Sequence, residues 1–226
     1  AAGFQNVFGV SIIPPYDTYI PYQTYIVPGL LGMVLLFNGM QSSLAMVYDR
    51  EMGVMRLLLT APLPRWYLLF CKLLAGTLLS VLQAYVFLII AALFEVEVPF
   101  IGWLYALPVL VLSGMMLGAL GLLLSVNVRQ LENFAGVMNF VIFPMFFAST
   151  ALYPLWRMRE SSTLLHDICA INPFTHAVEL IRFALYLEVN WLSLGVVAGC
   201  LAVFFLGAVA MYDPARGPGA RRKGGG

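Results

Sequence analysis

Residues 49–65 read DREMGVMRLLLTAPLPR, a charged amphipathic run set between two segments apolar enough to cross a membrane. Asp49, Arg50, Glu51 and Arg56 are interleaved with Met52, Val54, Met55, Leu57, Leu58 and Leu59, and Pro62 and Pro64 then stop a helix. Such a segment is too short and too charged to span, and it suits a helix lying at a membrane surface. If that helix begins at Asp49, its acidic residues fall at the amino end, where the helix dipole favours negative charge. The run equally fits a solvated loop whose Arg residues only set topology.

Outward from this stretch the chain is apolar on both sides. It is 62% hydrophobic and 10% charged, against roughly 25% charged in a soluble domain, which makes it a polytopic membrane protein. Residues 25–47 carry no charge. At 1.5 Å per residue they reach about 34 Å, enough to cross the hydrocarbon core. Further spans are predicted over 66–94, 102–126, 133–153 and 191–211, the fourth interrupted by Pro144. Lys72 lies one to two turns into the second span and can snorkel outward. Within the first span Asn38 and Gln41 are polar groups that need partners in a bundle, and Gly114 and Gly118 of the third have the spacing of a helix contact face.

Residues 1–24 combine Pro14, Pro15 and Pro21 with Phe4, Tyr16, Tyr19 and Tyr22 without helical period and are read as an external, aromatic-rich segment. Residues 154–190 are long and charged yet keep helical apolar spacing, so two short helices are predicted there. The second is marked by Asn172 as cap, Pro173 as first helical residue, and Glu179 three residues before Arg182.

Lys and Arg fix the orientation. Arg50, Arg56, Arg65, Lys72, Arg129, Arg216, Arg221, Arg222 and Lys223 fall on one side; Arg157, Arg159 and Arg182 fall on the other. The richer side is read as cytoplasmic, with the tail at 213–226, which leaves residue 1 outside and implies a sixth span upstream of Ala1. The expected fold is therefore all-α, one transmembrane domain over 1–226 with five visible spans, a cytoplasmic loop at 48–65 and external re-entrant helices at 154–190.

Several chemistries are disfavoured. The chain contains no G-x-x-x-x-G-K-[ST] phosphate loop, so any ATP chemistry belongs to another chain. His166 and His176 lack metal-ligand spacing, and Ser149 and Thr150 sit in no nucleophile motif. Cys71, Cys169 and Cys200 are an odd set, read as packing residues. No basic run suits nucleic acid. The spans hold almost no ionisable groups away from their ends, which weighs against an ion-coupled secondary carrier; a non-transporting assembly subunit is the other alternative.

The run YDREMGVMRLLLTAPLPRWYLLFCKLL resembles the first cytoplasmic loop of ABC type-2 (ABC-2) exporter permeases, with DRE-x-G, LL-x-x-P, Arg and Lys elements in order. FASTALYPL followed by INPFTHAVELIR is similar to the last extracellular signature of that family. The resemblance implies a non-enzymatic permease of the inner (plasma) membrane that exports a drug-like, lipid-like or glycan substrate. Its implied partners are ATP-binding cassette subunits, which hold the ATP and Mg, a second permease copy in a homodimer or heterodimer, and membrane lipids. It also implies that residues 49–60 form a coupling helix in a groove of the ATPase. There Asp49, Arg50, Glu51 and Arg56 would make polar contacts, Gly53 would allow close approach, and Pro62 and Arg65 would lead into the next span. Tyr153, Pro154, Asn172, Pro173, Glu179 and Arg182 would belong to an external gate.

Overall fold

The computed structural model describes residues 14–16, 21–52, 64–94, 99–128, 130–155 and 162–212. Among them the chain is all α-helical: α1 (Tyr22–Glu51), α2 (Arg65–Leu93), α3 (Phe100–Asn127), α4 (Leu131–Phe147), α5 (Thr163–Ile171), α6 (Pro173–Leu185) and α7 (Trp191–Met211). Four of these, α1, α2, α3 and α7, are long and apolar enough to cross a membrane. The pair α5 and α6 meets the same test as one broken span, bent by 74° where Asn172 separates them. This is a polytopic membrane protein.

Helix α3 is the hub and packs against α1, α2, α4, α6 and α7. Leu31, Leu35, Leu36 and Met40 of α1 bury against Leu110, Met116 and Leu117 of α3, with Phe174, Val178 and Ile181 of α6 completing the same core. Lipid tails are as apolar as leucine, so close backbone approach and packing hold such helices together. A Cβ added at Gly39 of α1 would lie 2.9 Å from the backbone N of Gly118 on α3, and only glycine fits there. The Gly114/Gly118 spacing thus marks a contact face that the structure uses.

Two boundaries differ from the sequence reading. The charged run does not begin a new helix at Asp49: α1 continues through it to Glu51. Asp49, Arg50 and Glu51 are therefore the last turn of a 30-residue helix, at its negative rather than positive end. The expected span over 133–153 is also shorter. Its 17-residue helix α4 covers about 25 Å, less than the ~30 Å hydrocarbon core. Pro144 lies inside α4, and the chain leaves the helix only after Phe147.

The termination of α4 has a definite cause. Ser149 Oγ donates to Phe146 O (2.6 Å) and accepts from Ala151 N (3.2 Å), turning the chain back at once. The turn is buried, with Ser149, Thr150 and Ala151 all out of solvent, and Ala151 rests on Gly29 of α1, where any side chain would strike its backbone.

Candidate functional site

Two polar constellations mark opposite ends of the bundle. At one end, Lys72 of α2 forms an ion pair with Asp49 of α1. Both side chains are partly exposed, 31% and 26%. An anion in the last turn of a helix opposes the dipole, and the Lys72 ammonium offsets that. Lys72 therefore reaches across to α1, and α2 is tied to the point where α1 runs into the 53–63 segment. Behind the pair, Ser42, Ser43, Thr77, Gly76 and Gly118 line a narrow crevice between α1, α2 and α3. Of the other residues expected at this end, Arg50 and Glu51 lie on the last turn of α1 and Arg65 opens α2. Gly53, Arg56 and Pro62 lie outside the described residues.

At the other end, Asn172 joins two helices. Its Oδ1 accepts from Phe174 N at 3.0 Å, capping α6 ahead of Pro173. Its Nδ2 donates to Met145 O at 2.8 Å and Ala148 O at 2.6 Å, satisfying the open carbonyls of α4. One side chain thus closes the start of α6 and the end of α4.

Two turns further along α6, Arg182 is buried, 3% exposed. A lone guanidinium there would be costly, but this one is surrounded by partners. It pairs with Glu179, donates Nη2 to Thr150 O at 2.9 Å, and stacks its Cζ 4.1 Å from the Tyr25 ring centroid. Tyr25 Oη donates to the same carbonyl at 3.1 Å, and Tyr22 Oη donates to Leu152 O at 3.1 Å. Tyr16 packs edge-on to Tyr186 at 4.8 Å, and burial raises its phenol well above the usual range against the opposing pull of Arg182, so it stays neutral. The knot thus ties α6, the buried turn after α4, and the first turn of α1 together.

The structure brings Asn172, Pro173, Glu179 and Arg182 to this end, with Pro154 buried at the edge of the turn. Tyr153 stands apart, 49% exposed. Tyr16, Tyr22, Tyr25 and Thr150 were missed from sequence. One signal was available: Arg182 follows Ile181 on the apolar side of an amphipathic helix, so it demanded buried partners. His176 has a packing role, with Nε2 3.0 Å from Ala170 O and Nδ1 3.4 Å from Ser193 Oγ. His166 and Asp167 form an exposed neighbouring pair. Among the described residues no three His, Cys, Asp or Glu side chains converge as metal ligands.

A family model described as "ABC-2 type transporter" matches residues 2–186. The chain belongs to the ABC-2 type transporter family. The chain is 30% identical over 173 residues to ycf38 of Cyanophora paradoxa, which carries the name of a transport permease, covering 76% of this chain and 58% of that one. The ycf38 of Porphyra purpurea is 31% identical over 192 residues, with 83% and 64% covered. An Escherichia coli relative named a probable multidrug ABC transporter permease, YbhR, is 27% identical over 205 residues, covering 87% of this chain and 54% of the relative. The chain thus spans about three-fifths of the length of these relatives.

Proposed function

We propose that this chain is the membrane permease of an ATP-driven exporter whose ATP-binding subunits are separate chains holding ATP and Mg. The observation that carries the reading is the ABC-2 match running through both polar ends of the bundle, residues 2–186. The Asp49 end is the cytoplasmic one, where positive charge concentrates. The ATPase docks on residues 49–60, which begin in the last turn of α1. A displacement there passes into α1 directly and into α2 through the Asp49–Lys72 pair, since packed helices move as rigid bodies. At the outer end, Asn172 and the Arg182 knot hold α6 across the bundle as the gate. A second copy of the permease pairs with this one in the inner membrane, and the cargo leaves outward.

The reading is tested by purifying the tagged chain from its native membrane in mild detergent. The expected result is a co-purifying chain that carries a phosphate loop and hydrolyses ATP with Mg. A permease that runs alone, and whose transport in vesicles follows an ion gradient without nucleotide, would overturn it.

A further inference from the structure

The bundle carries four carboxamide side chains near mid-depth, and the core does not take them in. Gln41 of α1, Gln83 of α2 and Asn139 of α4 are exposed, and Asn38 of α1 is half-buried. Each lies within about 7 Å, along the axis, of the midpoint of its helix. Asn38 Nδ2 donates to Gln83 Oε1, joining α1 to α2. Phe37 and Phe143 meet edge to face at 6.5 Å, joining α1 to α4. These two helices are antiparallel, because Tyr25 near the start of α1 bonds the turn beyond the end of α4. Gln41 and Asn139, each one turn from that ring pair, consequently stand at the same depth on the same face.

Bare lipid is a poor neighbour for this face. A carboxamide offers up to four hydrogen bonds, and the Asn38–Gln83 contact uses one. Leaving the rest unsatisfied in hydrocarbon costs several kcal/mol per group. The rest of the exposed surface is different: α7 presents Leu192, Val203 and Leu206, and α2 presents Leu78 and Leu82 off the stripe that Gln83 shares with Leu79 and Val86. The carboxamides that reach the surface at mid-depth are confined to one face. No charge accompanies them, since the ion pairs of the described residues lie toward the ends of the bundle, at Asp49–Lys72 and Arg182–Glu179, or on the exposed helix α5.

We infer that this face of α1, α2 and α4 borders a hydrated path, and that its cargo is an uncharged molecule joining hydrogen-bonding groups to an apolar body. The carboxamides supply both donors and acceptors, and Phe37 and Phe143 supply apolar contact. An ionised cargo would find no counter-charge at this depth. The cargo assignment rests on the permease reading; the hydration of the face does not.

The test uses the full chain in native membranes with Cys71→Ser, Cys169→Ala and Cys200→Ala, and single cysteines at Gln41, Asn139, Leu82 or Val203. A charged, membrane-impermeant methanethiosulfonate is added without nucleotide. Water on the face predicts modification of Gln41→Cys and Asn139→Cys at least about tenfold faster than of Leu82→Cys and Val203→Cys, which sit on apolar surface. Rates equal to those controls, through lipid contact or sealing by a second copy, overturn the path. Of these changes only Cys169→Ala alters a buried side chain, and matching gel-filtration profiles verify the fold. Octyl glucoside below its micellar concentration should slow modification of Gln41→Cys, and octyl sulfate should not. Equal protection by both, or by neither, overturns the cargo class. Because no ATP is present, a permease that fails to couple to an ATPase leaves the accessibility result intact.

Discussion

Arg182→Met removes the charge at the centre of the outer knot while keeping much of the side-chain volume. Arg182 is 3% exposed, and its partners have few alternatives: Glu179 is only 18% exposed, and Thr150 and Tyr25 are buried. Removing one member of a buried ion pair costs about 3–5 kcal/mol, because the other charge is left uncompensated. The lost cation–π contact with Tyr25 adds about 0.5–2 kcal/mol within that total. Thr150 O keeps the Tyr25 hydroxyl as donor, which limits the damage to the turn. The double variant Arg182→Met/Glu179→Leu removes both charges, and apolar replacement of a buried pair is often close to neutral. The double variant should therefore be more stable than Arg182→Met alone. Unfolding followed by tyrosine and tryptophan fluorescence in mixed micelles, with a denaturing detergent titrated in, measures all three proteins. A cost for Arg182→Met below about 1 kcal/mol, the range of exposed ion pairs, would refute the buried-knot argument. So would a double variant less stable than the single one.

Other consequences are equally specific. Asn172→Ala should cost about 2 kcal/mol or more, the top of the single-cap range, because the side chain serves Phe174 N and two α4 carbonyls together; faster hydrogen exchange at the Phe174 amide would check it. Gly39→Ala forces a Cβ against the Gly118 backbone and should cost about 1–3 kcal/mol, whereas Gly136→Ala, with open space around it, should be neutral or better by thermal melting. Leu187 holds a left-handed φ of 65° after α6 and is exposed, so Leu187→Gly should raise stability by about 1 kcal/mol, seen as a higher melting temperature.

The spans were legible because hydropathy reports them directly, and residues 191–211 match α7 as predicted. Helix α6 was equally legible, since Asn172-Pro173 is a local start signal and the helix runs Pro173–Leu185. What sequence hid was set by distant partners. The end of α4 depends on Asn172, 24 residues beyond Ala148, and the buried Arg182 needs, beside its local partner Glu179, a backbone carbonyl 32 residues away. The charged run at Asp49 looked like a helix start because its acidic residues come first. Lys72 on the neighbouring helix stabilises Asp49 at a helix end instead, a contact that no local pattern encodes. Asn38 and Gln41 suggested polar partners within the bundle; Asn38 finds one in Gln83 of α2, whereas Gln41 faces outward.

Motion of a separate ATPase, on the proposed reading, enters through the end of α1 and the segment after it, so charge reversal there should interrupt coupling. Glu51→Arg together with Arg56→Glu is made in the chain reconstituted with its ATPase in liposomes. Exposed charges contribute only about 0–1 kcal/mol to folding, while like charges facing each other across an interface cost several. The double variant should therefore insert normally and lose either ATPase binding or the hydrolysis that accompanies transport. Hydrolysis and export both at wild-type rates would contradict the account.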